Sequence, residues 1–272
     1  MSNIICFSKG GYSNWFYHAP TRSLFDCGEG CASFLGNKVF AVENIFLSHG
    51  HMDHIAGLPQ FIAARNSGRG DKEKPLTIWY PAGTYGILNM LEYIGKVFTN
   101  LNYDLEDYGC LDGADLPNGV KTFKTYHTNY PTLGYKVVET RKRLKKIYTG
   151  QNIPALIRAG TVDPKDLMEE YSAIPFVYAL DSTAEIDPND VLNAEQMIAD
   201  TTFLCGRDRD DITHATLLEM TNFAIKANIQ KMYCAHFSSR YDLRQIDKAI
   251  DEAQATISIP LIPIHFNGTH TF

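Results

Sequence analysis

Within six residues the chain reads His49-Gly50-His51-Met52-Asp53-His54, three imidazoles and a carboxylate. These are the natural ligands of zinc and related divalent ions. Two histidines at i and i+2 on a turn can face one ion, which leaves Asp53 and His54 turned toward a second. Four donors cannot fill two coordination spheres, so others must come from further along the chain. His127 in TYHTNYPTLGY, His214 in ITHATLLEM and His236 in YCAHFSSRY stand just past β-rich runs or at a helix start, and Asp181 in YALDST follows another such run. Singly, His127 and His236 read as readily structural, His214 opens a helix, and Asp181 caps a turn. His18, His265 and His270 read as structural histidines. Two divalent ions held side by side suit phosphodiester hydrolysis, because they ready a water for attack and neutralise charge on the phosphoryl oxygens.

The donors need a scaffold that brings distant strand ends to one edge. Short apolar runs alternate with helical patterns, which indicates an α/β protein. Strands are expected at Ile4–Phe7, Trp15–Tyr17, Ser23–Asp26, Asn44–Leu47, Leu76–Tyr80, Val120–Thr125, Leu133–Glu139, Phe176–Leu180, Met197–Asp200, Lys231–Ala235 and Ile257–Ile264. Helices are expected at Gly57–Arg65, Gly86–Val97, Ala215–Ala227 and Leu243–Ala253; the third turns Leu218, Phe223 and Ala227 inward. Residues 103–119 read as an acidic, Gly-rich loop, and 140–173 as a basic arm or insertion within a single domain spanning 1–272.

The 272 residues carry 44% hydrophobic and 21% charged side chains, enough apolar surface to exclude disorder as the main state. No apolar run approaches the roughly 18 residues that span a bilayer. The start, MSNIICFSKG, lacks the pattern of a secretory signal, the end carries no lipidation cysteine, and the six cysteines form no dense framework. The expectation is a cytoplasmic protein with reduced thiols. The net charge of −6 hides a basic cluster, RKRLKK at 141–146; the rest of the chain carries −11. Nucleic acid would therefore be held locally rather than over a broad surface.

At this point the chain resembles the metallo-β-lactamase-fold hydrolases, most closely the short-armed form of ribonuclease Z, the tRNA 3′-endonuclease. LFDCGEG at 24–30, LSHGHMDHIAGLP at 47–59, the His127 segment, LDST at 180–183, ADTTF at 199–203, the His214 segment and HFSSRY at 236–241 match in order; FSKGGYSNW, ARNSGRGDKEKPL and RKRLKKIYTG are similar to segments of the short form. The resemblance implies an αββα sandwich of two mixed β-sheets flanked by helices, with two zinc ions per chain at one edge. His49, His51 and His127 would hold one ion, Asp53, His54 and His236 the other, with Asp181 bridging. Manganese accepts the same donors. Asp53 would orient the nucleophile, His214 would assist the leaving group, and Asp200 would stand behind His214, where the family usually has glutamate. Leu180-Asp181-Ser182 replaces the usual Gly-Asp-Thr, and RKRLKKIYTGQNIPALIRAG at 141–160 replaces the long Gly/Pro-rich arm. Ser238 and Arg240 are candidate phosphate contacts; Arg141, Lys142 and Arg143 are a candidate clamp on a tRNA backbone. Precursor tRNA is the preferred substrate and a homodimer the expected assembly. The alternative substrate is a cyclic nucleotide, as for phage relatives that destroy defence signals. A binding module with a relic site is disfavoured, because no expected ligand is missing.

Overall fold

A computed structural model describes residues 4–68, 74–127, 130–209 and 211–272. Residues 69–73 of ARNSGRGDKEKPL and 128–129 of the His127 segment lie outside that set. The first sheet takes β1 (Ile4–Lys9), β2 (Ser13–His18), β3 (Ser23–Phe25), β4 (Asn44–Phe46), β5 (Leu76–Pro81), β6 (Leu105–Cys110) and a closing β13 (His270–Thr271), in spatial order β13-β1-β2-β3-β4-β5-β6. The second takes β7 (Val120–Lys124), β8 (Leu133–Leu144), β9 (Met168–Ala179), β10 (Met197–Asp200), β11 (Met232–Ala235) and β12 (Leu261–Pro263), in order β12-β11-β10-β9-β8-β7. Both sheets are mixed: the hairpins β1–β2–β3 and β7–β8–β9 are antiparallel, and β3–β4–β5–β6 and β9–β10–β11–β12 run parallel.

Three layers of buried side chains hold this together. Between the sheets, Phe16, Phe25, Phe46, Tyr135, Phe176 and Tyr178 pack as a block of rings, with centroids of Phe16 and Tyr178 5.3 Å apart. Outside the first sheet, Leu24, Ile45 and Ile78 meet α1 (Cys31–Leu35), α3 (Leu58–Asn66) and α4 (Tyr85–Val97); the short α2 (Met52–Ile55) lies at its edge. Outside the second, Val177, Ala199 and Met232 meet α6 (Leu217–Lys226) and α7 (Leu243–Gln254), while α5 (Ile153–Arg158) belongs to the 140–173 segment. Helix, sheet, sheet, helix is the αββα sandwich implied by the resemblance. All six thiols are free. No helix among the described residues is long and apolar enough to cross a membrane.

The structure departs from the sequence reading in a few places. The expected loop at 103–119 contains β6, which pairs in parallel with β5 over six positions at the sheet edge. Phe223 and Ala227 face inward as expected, but Leu218 is 66% exposed; Leu217, Met220, Thr221 and Ala224 complete the buried stripe of α6. The last strand is only Leu261–Pro263, and β13 follows it. The two ends of segment 140–173 continue β8 and β9, paired from Glu139↔Ala173 to Leu144↔Met168, and residues 145–167 between them carry α5.

His18 is buried, stacked on Phe176 at 4.5 Å, with Nδ1 2.9 Å from the Thr21 hydroxyl. Burial pushes its pKa down to about 4. Unfolded, it titrates near 6.5. Between those values the unfolded chain takes up a proton that the folded chain refuses, so stability is lost as pH falls from 6.5 to 4. The loss is roughly 3 kcal/mol at about 1.4 kcal/mol per pH unit. In urea titrations at pH 7 and pH 4.5, His18→Gln is expected to have a visibly shallower acid dependence than the parent; equal slopes would exclude His18 as a contributor.

Candidate metal centre

Five strands of the two sheets end at the same edge, and each hands its next residues to one cavity: Asp26 after β3, Ser48–His54 after β4, His127 after β7, Asp181 after β9 and His236 after β11. Asp26, Asp181 and His236 have φ of 56°, 48° and 65°. A left-handed backbone costs a non-glycine residue about 1–2 kcal/mol. Three such turns at one edge aim side chains back over the strand ends, where a relaxed turn would carry them past. Close packing is needed too. A methyl group on Gly10 would sit 2.8 Å from the His236 carbonyl and 3.2 Å from its ring, so this position must stay bare for His236 to seat.

All seven donors, from four separate stretches of the chain, converge, and Asp181 is central. Its Oδ2 lies 3.5 Å from His49 Nε2 and 3.8 Å from His127 Nε2, and His127 Nε2 is 3.3 Å from His51 Nδ1. Its Oδ1 lies 3.1 Å from His54 Nε2 and 2.9 Å from His236 Nε2, each of which is also near Asp53 Oδ2, at 3.4 and 3.5 Å. The carboxylate thus divides the donors into two sets, His49/His51/His127 and Asp53/His54/His236, each with one Asp181 oxygen. Buried His49 Nε2, His236 Nε2 and Asp181 Oδ1 have no hydrogen-bond partner of acceptable geometry despite this crowding. Buried polar atoms left so are costly unless something else satisfies them. Inward-aimed nitrogens around a shared carboxylate fit a metal centre.

A second layer fixes which ring nitrogen is the free one. The Ser48 hydroxyl donates to Asp26 Oδ2, so it must accept from His49 Nδ1–H at 3.0 Å. The Thr202 hydroxyl donates to Asp200 Oδ1 and accepts from His236 Nδ1–H at 2.7 Å. His127 Nδ1–H donates to the Thr213 carbonyl at 2.8 Å, and His54 Nδ1–H to Asp26 Oδ2 at 2.6 Å. In four rings, then, Nδ1 carries a committed proton and Nε2 is the nitrogen aimed into the cavity, the orientation that metal-ligating histidines use.

The electrostatics agree. Burial disfavours charge on His54 and His236, yet Asp181 overrides that penalty, helped by Asp26 and Asp53 at His54 and by Asp53 and Asp200 at His236; His54 is held well above the usual histidine range and His236 is raised to about 10. Asp53 and Asp181 are buried, which opposes ionisation, but the imidazoles around them hold both below the usual carboxylate range. Burial lowers His49, His51 and His127, the half with less carboxylate. The metal-free cavity is negative enough to hold protons on buried rings, and a divalent cation would take their place.

His214 lies against this cluster, its ring 4.6 Å from His127 and 5.0 Å from His236, and its Nδ1 2.8 Å from Asp200 Oδ2. Asp200 is fully buried and locked by the Ser182 and Thr202 amides at 3.1 and 2.8 Å and by the Thr202 hydroxyl at 2.7 Å. Burial lowers the His214 pKa, but the Asp200 charge and hydrogen bond outweigh it and raise the group overall. Ser238 follows His236, its amide bonded to the Thr202 carbonyl. Arg240 is exposed, with its guanidinium on the Asp208 carbonyl and 5.1 Å from the Phe203 ring. Arg141, Lys142 and Arg143 are not near the cluster. They lie on β8 opposite Tyr171, Glu170 and Glu169, and ten residues from Tyr171 to Asp181 span roughly 30 Å of strand. Arg141 pairs with Glu195, Arg143 with Glu169 at 2.7 Å, and Lys142 with Glu170 at 3.5 Å.

Sequence reasoning assigned no role to Asp26 or Asn14. Asp26, wholly buried, accepts from Ser48 N at 2.7 Å, Ser48 Oγ at 2.8 Å, His54 Nδ1 at 2.6 Å and Tyr178 OH at 2.6 Å, so one carboxylate braces both ends of the Ser48–His54 loop and ties it to the second sheet. Asn14 Nδ2 and the Gly11 amide each hold Asp53 Oδ2 at 3.0 Å. A polar residue just past a strand was the available signal for Asp26, and it is a weak one.

Comparison with known proteins points the same way. Residues 21–89 match the model of the metallo-beta-lactamase superfamily. The chain is 29% identical over 258 residues to a tRNase Z of Arabidopsis thaliana, covering 89% of this chain and 88% of that one. It is also 29% identical over 259 residues to a ribonuclease Z of Listeria welshimeri, covering 84% and 81%. Among solved structures, the metallo-beta-lactamase fold protein YhfI from Bacillus subtilis superposes with a TM-score of 0.66 over 99% of both chains at 16% identity. The short form of human tRNase Z superposes with 0.61 over 87% and 93% at 17% identity. The fold is that of the metallo-β-lactamases.

Proposed function

We propose that this metallo-β-lactamase-fold chain is a metal-dependent phosphodiester hydrolase that trims the 3′ end of precursor tRNA, as a ribonuclease Z does. One observation carries the reading. Asp181 divides six other donors into two sets, with the His214–Asp200 couple beside them, in a chain similar to tRNase Z over most of its length. His49, His51 and His127 would hold one ion, Asp53, His54 and His236 a second, with Asp181 between them. The nitrogen-rich donor set suits zinc and accepts manganese. Bound there, the ions supply Lewis acidity, lowering the pKa of water toward neutrality and offsetting charge on the phosphoryl oxygens.

The chain's own residues do the rest. Gly11 and Asn14 pin one oxygen of Asp53, so the carboxylate cannot swing as substrate arrives. His214 Nδ1–H donates to Asp200, whose charge favours the protonated ring, so that Nε2–H is the proton delivered to the departing ribose oxygen and the ring is left neutral. Ser238 and Arg240, next to His236 in sequence, are the proposed phosphate contacts at the rim. A homodimer in a reducing cytoplasm, with all six thiols free, completes the reading.

A second reading, hydrolysis of a cyclic nucleotide at the same centre, is favoured by one feature. Arg141, Lys142 and Arg143 are met by glutamates, and a tRNA backbone would have to displace those partners. Purified protein loaded with zinc or manganese is expected to cut a precursor tRNA once, at the start of its 3′ trailer, and to lose this on chelation. Hydrolysis of cyclic mononucleotides with no cut in the RNA would overturn the ranking.

A further inference from the structure

Beside the His127 half of the cluster is an open cavity of about 420 Å³ that the chemistry above does not use. Both sheets build it. The segment after β6 contributes Leu111, the end of β7 and its continuation contribute Lys124, Tyr126 and His127, and Tyr130 closes the side toward the metal ligands. Past β7 the chain keeps its alternation. Thr125 and His127 are buried, while Lys124 and Tyr126 are exposed toward the cavity. The strand end thus brings a buried metal ligand and two exposed side chains to the same cavity.

The lining is unusual for a water-facing surface. Tyr130 is 59% exposed and Tyr126 41%, and the Tyr130 ring meets the His51 ring nearly edge-on at 5.4 Å. Lys124 Nζ sits 4.7 Å from the centroid of the Tyr126 ring. Flat aromatic faces with one cation, Lys124, and one acid, Asp112, in the lining, beside a centre for phosphodiesters, offer a π-face to stack a base and an ammonium to face its phosphate. The volume is in the range of small-ligand pockets, enough for a nucleoside and too small for a duplex.

Building on the phosphodiesterase reading, we propose that this cavity holds the nucleobase flanking the scissile phosphodiester, stacked on Tyr130, with Lys124 facing the adjoining sugar-phosphate. The base belongs to an unpaired 3′ segment of RNA or to a free cyclic nucleotide; the recognition chemistry is shared. Stacking tolerates any base, as a processing enzyme with many substrates requires.

The test compares the zinc-loaded parent with Tyr130→Ala and Lys124→Ala on two precursor RNAs, one intact and one abasic at the nucleotide flanking the cut. Tyr130→Ala is expected to lower kcat/KM on intact RNA by about tenfold to a hundredfold, mainly through KM. The abasic site should cost the parent a similar factor and cost Tyr130→Ala almost nothing more. Lys124→Ala should weaken the salt dependence of KM. If the parent hydrolyses only cyclic mononucleotides, the same variants are read on those, and a rise in KM supports the cavity's role with the free nucleotide as the source. Equal kcat/KM for Tyr130→Ala and parent, or the same abasic penalty in both, overturns the inference and leaves the phosphodiesterase reading intact. No turnover of either substrate class by the parent overturns both.

Discussion

Replacing Asp181 with alanine is expected to lower turnover by at least about 10⁴-fold and to leave the purified protein with far less metal than its parent. Asp181 offers one carboxylate oxygen to each donor set, with Oδ2 facing His49 and His127 and Oδ1 facing His54 and His236. Without it, neither set keeps a shared anionic oxygen, and the cavity loses the charge that most favours a cation there. The fold is less exposed to the change. His54 and His236 carry protons in the metal-free protein largely because of Asp181, so they can shed those protons rather than remain as buried, unpaired charges. Backbone conformation confounds the alanine variant, since φ at this residue is 48°. Asp181→Asn is the cleaner companion, because asparagine tolerates that region and keeps the shape while losing the charge. Elemental analysis, with kcat measured at saturating metal, separates the two effects. An alanine variant with metal content and turnover within tenfold of the parent would remove the bridging role.

Much of this centre was legible because it is written locally. HGHMDH packs four donors into one turn, and its residue types have few other uses together. His127, Asp181 and His236 could be placed because each follows a run of β-formers, and strand ends of an α/β sandwich gather at one edge. The layer behind them could not be read. Asp26 is 28 residues from His54 and 152 from Tyr178, and nothing in LFDCGEG announces either partner. Thr202 looks like any threonine after a strand until His236 is seen to use it. β6 was hidden because LEDYGC is an edge strand with five of its six residues exposed or half-buried, so its sequence has no alternation to read. That strand carries Leu111 to the wall of the cavity beside His127, so the cavity was hidden with it. The basic run at 141–146 was legible as charge but not as pairing. Beyond the neighbouring Glu139, its glutamates lie on the facing strand or at Glu195, and only the register of β8 against β9 brings the facing pairs together.

His214→Ala is expected to retain metal and lower kcat on precursor tRNA by about 10²- to 10⁴-fold, the range for loss of a positioned general acid. Unlike Asp181, His214 is not among the seven donors divided by the bridge. Its Nδ1 is committed to Asp200, and it is 18% exposed at the side chain, open enough to meet a substrate oxygen. Metal content should therefore hold while the chemical step slows. The nature of the leaving group separates this role from a structural one. A ribose oxygen leaves poorly as an alkoxide and needs the proton; nitrophenolate leaves readily without one. On bis(p-nitrophenyl) phosphate the His214→Ala variant should lose only a few-fold, while its loss on RNA stays large. Asp200→Asn should fall between, since it keeps a side chain behind His214 but removes the charge that raises its pKa. Equal losses on both substrates would mean that His214 holds the pocket together rather than delivering a proton, and the couple with Asp200 would then belong to the packing around His127 and His236 instead of to the bond that breaks.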